Sequence, residues 1–534
     1  MNKISYISLA AGVLMLNGCY EDKGHYDYTP TNGITLEVNP QNKTYYLGER
    51  YFYSPKVTYE QEGDSVNFSY WWEIMDKKEG VAAVDTACVG FDLDFYPNAE
   101  KSVGVRMCAM DLRTNVVHSS DEVTLTGQAA LSQGWLILSE KSGESALSYI
   151  RPEMTDDKKR FYTEYPDLYK TLYPDESLGS GPKRLRQIIH NNSTVVVVIQ
   201  ESGSLYLNGS SYIKEMTVAQ DFVGDVPVGL NVKDFFWGNG VDFLLDENGN
   251  LYSRDYLGDG RKIDLFTTPF TGVRMQLEGE RLNIRDIIFT GKPTAAFFNA
   301  FNDAENRRLL WFGSGYNTSD IKRFYPIRML DVDTLINLND YGDWDLLYMR
   351  SGQESAWSDI PTFALFKKGD VVKALNMQVA YFIPTVNPPF SAIAMSSCDQ
   401  SNFDGAKYLS EDSKFYRLRQ RGYFFFSSGN TIYWYDLSTK KAYKFDEVEG
   451  GDVIVDLETN SSETELGVVT ANGIFATFTI KNEHLFDPTH LIYQKEGFGR
   501  IVDLEFKWSN WNKYNIPTSK KSLSEKASYD IIIM

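Results

Sequence analysis

Residues 501–504 read Ile-Val-Asp-Leu, and the pattern of an apolar residue, any residue, Asp and further apolar residues recurs upstream. It stands at Val232-Lys-Asp234-Phe-Phe, Ile284-Arg-Asp286-Ile-Ile, Asp343-Trp-Asp345-Leu-Leu and Val455-Asp456-Leu, while Leu185-Arg-Gln187-Ile-Ile fits with Gln for Asp. Gly-centred dipeptides alternate with these runs: Ser142-Gly143, Ser202-Gly203, Asn248-Gly249, Lys368-Gly369, Ser428-Gly429 and Asn472-Gly473. Such pairs supply the positive φ of tight hairpins. Asn306, ahead of Leu309-Leu-Trp-Phe312, marks the turn of one further unit.

The turns recur every 44 to 63 residues. A four-stranded propeller blade needs roughly 40 to 50 residues plus loops. The repeat therefore predicts a β-propeller of about seven blades over residues 134–510, each blade burying its faces against its neighbours. Ile501 to Trp508 has no hairpin after it, and the hairpin Trp135 to Ile150 has no Asp-type strand before it. The C-terminal strand is expected to complete the first blade and close the ring. Residues 511–534 remain as a tail. The repeated Asp234, Asp286, Asp345, Asp456 and Asp503 are read as structural acceptors of backbone hydrogen bonds from a neighbouring turn. On that reading Asp→Ala at Asp234 or Asp286 lowers thermal stability.

At the other end of the chain, Lys3 precedes an apolar run over residues 4–16, too short to span a bilayer and suited to a signal peptide. Leu16-Asn17-Gly18-Cys19 follows, and it resembles the bacterial lipobox. That resemblance implies cleavage after residue 18 and lipidation of Cys19, with enough acyl chains for stable anchoring. Residues 19–33 read as a tether. Glu21 and Asp22 just past the anchor are similar to the acidic signal that sends lipoproteins of Bacteroidetes to the outer face of the outer membrane. The expected location is thus lipid-anchored in the outer membrane, facing the exterior.

Residues 34–127 hold short alternating strands, among them Ile34-Thr-Leu36-Glu-Val38, Asn67 to Ile74 and Val103 to Asp111. Their number and length predict a β-sandwich. Period 2 requires one face of Val103 to Ala109 to be buried. Trp71-Trp72 in a central strand, followed by the V-x-V-x-M-x-A-x-D run ending at Asp111, resembles the polycystic-kidney-disease (PKD) domain, an immunoglobulin-like sandwich. Trp71 or Trp72 would be its core Trp, and Asp111 would close the late strand. Trp72-Glu-Ile-Met-Asp-Lys stands where the usual Trp-Asp-Phe-Gly-Asp-Gly turn would be, which marks a divergent member. With the Cys19 start and the long downstream region, the whole chain is similar to the PKD-like lipoproteins of Bacteroidetes. The fold class is therefore all-β, a sandwich followed by a propeller.

Composition narrows the function classes. The net charge is −19 and no Lys/Arg stripe forms, which argues against nucleic acid as a partner. Of the four cysteines, Cys19 is assigned to lipid, and Cys88, Cys108 and Cys398 remain. Export permits a Cys88–Cys108 bridge, but the spacing does not demand it. No pair has zinc-site spacing, and no metal or cofactor is expected. There is no G-x-S-x-G and no H-E-x-x-H, and the five His are scattered. Asp246-Glu-Asn248-Gly249-Asn250 fits a hairpin turn better than a calcium loop. No catalytic residue is assigned, although two carboxylates suffice for a glycosidase and the chain has 72 acids.

Residues 151–183, 313–342 and 376–414 exceed what a hairpin needs and read as insertions, where function tends to sit. Trp357, flanked by polar residues, is the first candidate for stacking on a ligand, then Tyr316, with Trp311 and Trp344 nearby. Trp434 is a weaker candidate. The competing reading is that each Trp is a packed blade residue. The resemblance implies association with a transporter of the starch-utilisation (SusC/SusD) type. It makes the chain a non-enzymatic surface lipoprotein that binds an oligosaccharide or peptide. A propeller glycoside hydrolase or lyase, and a structural transporter subunit that binds nothing, are the alternatives.

Overall fold

A computed structural model describes residues 33–507, apart from 48, 61–63, 77–82, 98–100, 155–159, 191–192, 238–240, 256–269, 272–273, 278, 289–296, 316–317, 353–358 and 382–392. The chain divides into two compact units, one built from residues up to 40, 50–96 and 102–125, the other from 41–49, 97–101 and 126 onward.

In the first unit the strand Phe68–Asp76 lies between Ala83–Val89 and Ser102–Asp111, antiparallel to both. Val103, Val105, Met107 and Ala109 are all buried, as the period-2 argument requires. Trp72, not Trp71, is the core tryptophan. It is fully buried, its Nε1 donates to the Phe91 carbonyl at 3.2 Å, and its ring meets Tyr53 edge-on. Asp111 is buried at the end of its strand and accepts from the Arg113 backbone N–H at 2.9 Å. Cys88 lies opposite Trp72 and Cys108 opposite Trp71, so a whole strand separates them. Two strand spacings come to about 10 Å, beyond the reach of a disulfide, and both thiols are free.

The second unit holds, among its described residues, seven antiparallel sheets of three or more strands in sequence order, six of four strands and one of three. The third sheet comprises Val232–Trp237, Val241–Asp246 and Leu251–Asp255. The C-terminal strand Arg500–Lys507 pairs with Gly134–Lys141 and so supplies the first strand of the first sheet. The glycines of the six dipeptides all take positive φ in the hairpins between second and third strands, and Arg307 takes φ 54° in the fourth sheet. There Asn306 donates to Asp303 at 2.9 Å.

The first strands of successive sheets are linked in a closed cycle. The Leu185 N–H donates to Asp503 at 2.6 Å, Arg186 to Asp234 at 2.8 Å, and Lys233 to the Arg285 carbonyl at 2.8 Å. Arg285 donates to the Leu346 carbonyl, the Arg417 N–H to the Tyr348 hydroxyl at 2.8 Å, and the Tyr416 hydroxyl to Glu458 at 2.5 Å. The Leu504 N–H donates to Asp456 at 3.1 Å and completes the turn. Between sheets lie apolar layers, such as Ile288, Leu309, Trp311, Phe366 and Met377. The architecture is a β-propeller.

The three stretches read as insertions contain regular structure. They hold Arg160–Tyr165, Thr318–Tyr325 and Ile393–Asn402, the fourth strands of the first, fourth and fifth sheets. A fourth strand at a sheet's edge carries weak hydrophobic alternation, so in sequence it looks like loop.

Candidate functional site

The ring of first strands is organised by a bulge. In six of the seven, one residue drops out of register: Lys183, Lys233, Arg285, Leu347, Val455 and Val502. A bulge frees an extra residue and re-aims the side chain that follows. The residue after it is Arg184, Asp234, Asp286, Tyr348, Asp456 or Asp503. Four of the five repeated aspartates thus share one place. Asp345 does not: it begins its strand, three residues before Tyr348, and pairs with Arg307. Its flanking leucines copy the repeat, but the register does not. By the same register Arg184, not Gln187, is the second sheet's counterpart.

These side chains differ in what they do. Asp503 and Asp456 accept backbone N–H groups of the next sheet, as above. Asp234 is clamped by Arg184 at 2.6 Å and by Arg186, and despite its burial the two guanidiniums hold its carboxyl below the usual range. Asp286 is half exposed and pairs with Arg285 at 2.9 Å.

Two residues further along lie Glu458, Glu505, Arg186, Phe236, Ile288 and Arg350. Taken around the ring, two acids from adjacent sheets are followed by Arg186, two apolar residues and Arg350. Gln187 donates to Glu505 at 3.0 Å, and Arg186 stands 4.0 Å from it. Burial, then the neighbouring Glu458, pushes the Glu505 carboxyl up to about 8. Burial also raises Asp456 and Asp503, which share a hydrogen bond. Glu505 therefore keeps its proton at neutral pH.

The fifth and sixth sheets, which precede the seventh around the ring, are basic. The Arg350 guanidinium lies 4.3 Å over the Tyr416 ring, and its buried Nε has no acceptor. Arg417 is 4% exposed. Its Nη1 donates to the Pro361 carbonyl at 3.0 Å, and its Nε also lacks an acceptor. Burial, together with the charge of Arg350, lowers the Arg417 guanidinium to about 10.

The aromatic candidates fare differently. Trp311 is fully buried in the layer between the fourth and fifth sheets, and Trp344 packs on the same layer. The burial of Trp311 leaves its ring no open face, whereas Trp344 is partly exposed. Trp357 and Tyr316 lie outside the described residues. Trp434 is buried as well, but beneath two rings that are not: Tyr443 stacks on it at 5.0 Å, and Phe486, 79% exposed, meets it edge-on. No group of three or more His, Cys, Asp or Glu suited to a metal occurs among the described residues. Glu458 and Glu505 were legible in principle, each two residues past a repeated Asp. Arg350 was hidden by the misplacement of Asp345.

The profile of the PKD-like family matches residues 19–182. The N-terminal region is PKD-like. The match runs past the sandwich strands through Arg160–Tyr165, so it includes the second, third and fourth strands of the first propeller sheet. No curated protein matches the chain. Among solved structures it is similar to a quinonprotein alcohol dehydrogenase-like protein from Bacteroides thetaiotaomicron, at 11% identity and TM-score 0.40, covering 87% of this chain and 96% of that one. A functionally unknown protein from Desulfotomaculum acetoxidans is similar at 10% identity and TM-score 0.39, covering 71% of this chain and all of that one. The Pan2 WD40 domain of Neurospora crassa is similar at 10% identity and TM-score 0.35, over 60% and 82% of the two chains.

Proposed function

We propose that this PKD-like protein is a lipid-anchored outer-membrane protein that captures a nutrient, glycan or peptide, beside a SusC/SusD-type transporter. The observation that carries the reading is the ring of first strands. It gathers charges of both signs from separate sheets at one place, the arrangement a propeller offers a polar ligand. The Leu16-Asn17-Gly18-Cys19 motif supports anchoring, as does a family match that starts at Cys19. The test is a pull-down of the tagged protein from native outer membranes in mild detergent, with mass spectrometry of proteins and retained small molecules. Recovery with a SusC/SusD-type pair and a bound oligosaccharide or peptide supports capture. Recovery with the pair and no ligand affinity turns the reading toward a structural subunit.

A second reading rests on Glu458 and Glu505. Two carboxylates in adjacent sheets, one of them protonated at neutral pH, are the minimum a glycosidase needs. Oligosaccharide turnover abolished by Glu505→Gln with the fold intact establishes it.

A further inference from the structure

We propose that Arg350 and Arg417 form a receptor for a carboxylate group on the ligand. The proposal rests on the capture reading and names the chemistry of what is captured.

The two arginines belong to adjacent sheets. Arg350 is the next-to-last residue of the first strand of the fifth sheet, Asp345–Ser351, and Arg417 ends that of the sixth, Phe415–Arg417. The backbone joins them, since the Arg417 N–H donates to the hydroxyl of Tyr348, two residues before Arg350. Buried guanidiniums are normally matched by carboxylates, because an uncompensated buried charge is costly. Neither of these forms an ion pair with a described residue. The nearest acids are already engaged. Glu463 accepts from the Arg419 N–H at 2.5 Å and the Gln420 N–H at 3.0 Å, and Arg419 Nε stands 3.7 Å away. Glu458 accepts from the Tyr416 hydroxyl and from the Thr459 N–H at 2.9 Å.

The place is shaped for the pair. A Cβ at Gly352 would come within 2.3 Å of Arg417 Nη1, so glycine there leaves room for the guanidinium. The Tyr416 ring holds Arg350 flat, and Arg350 is partly exposed, which gives a ligand its way in. Glu458 and Glu463 favour the charged form of Arg350, yet the buried Nε of each arginine is left without an acceptor, and an arriving anion can supply it. A planar carboxylate matches the guanidinium fork. A uronic-acid unit of a glycan and an acidic or C-terminal group of a peptide both supply it.

The experiment is the melting of the purified full-length chain at fixed pH and ionic strength. The probes are trigalacturonate against maltotriose, and N-acetylglutamate against N-acetylglutamine, each referred to sodium chloride. A ligand that binds only the folded state raises Tm. The expected result is a rise with at least one carboxylate probe and none with its neutral counterpart. Which probe acts tells glycan from peptide. Arg350→Gln is expected to bind that probe about tenfold more weakly or worse, as befits loss of a charge-assisted contact. Its response is referred to its own melting in chloride, because the substitution also removes the contact with the Tyr416 ring. Arg417→Gln should behave alike, and if it fails to fold, Arg350→Gln alone decides. Equal shifts with charged and neutral probes, or an undiminished response in Arg350→Gln, overturn the proposal. Neither result touches the pull-down, so the receptor can fail while capture stands, and the reverse.

Discussion

Asp503 and Asp286 stand at one place in the repeat but carry different loads. Asp503 is buried and accepts the Leu185 N–H, a bond that joins the first sheet to the second across 318 residues of chain. Removing it leaves a buried donor without a partner, which costs about 1–3 kcal/mol. Asp286 is half exposed and pairs with an exposed Arg285, an interaction worth about 0–1 kcal/mol. Asp503→Ala should therefore lower Tm clearly, whereas Asp286→Ala should leave it nearly unchanged, with urea melts of the two variants as the check. The sequence expects lower stability on substitution of either Asp234 or Asp286; burial separates the two, and no repeat in the sequence reports burial. The same holds for Trp311 and Trp344. Their flanking residues gave no sign that Trp311 is buried between two sheets and that Trp344 packs against the same layer.

At the scale of elements, the closing of the ring depends on how the first and seventh sheets meet. Trp135 of the first sheet packs on Phe475 and Phe506. Gly467, in the second strand of the seventh sheet, faces it so closely that a Cβ would lie 2.4 Å from the indole. Gly467→Ala must push the ring aside, and overpacking of this kind costs about 1–3 kcal/mol. A drop in Tm with a shift in tryptophan emission would be the signature, and an unchanged melt would refute the contact. The pairing of Arg500–Lys507 with Gly134–Lys141 was legible, because one sheet lacked a first strand and one strand lacked a sheet. The bulge was not legible. It is a property of two paired strands, and a single strand's sequence does not display it.

For the whole molecule, acids on the two units respond to pH in opposite directions. Glu505 has an ordinary value near 4.5 and is raised to about 8. Between those values the folded protein holds a proton that the unfolded chain has released, so raising the pH favours unfolding. The propeller's stability from this group is complete below 4.5 and is lost as pH climbs through about 8. In the sandwich, Arg113 holds Asp111 down to about 2, below its ordinary 3.8. That contribution is present above 3.8 and is lost as pH falls through about 2. Tm followed from pH 5 to 9 should decline, and Glu505→Gln should make the decline shallower. At the N-terminus, Cys19→Ser should move the protein from the membrane fraction to the soluble one. Retention in the membrane would show that the lipobox reading is wrong.

The sequence by itself determined the all-β class, the order of sandwich and propeller and the burial of Val103, Val105, Met107 and Ala109. Each of these follows from a local period or a turn dipeptide, and local periods are written residue by residue along the chain. The tertiary structure alone decided which tryptophan fills the sandwich core, that Cys88 and Cys108 lie a strand too far apart to bridge, and that Asp345 falls outside the repeat. It alone also brought Glu458 beside Glu505 and Arg350 beside Arg417. These are relations between residues on different strands, fixed by register and by the packing of one sheet against the next. Such register is a property of the assembled ring, and no single strand carries it.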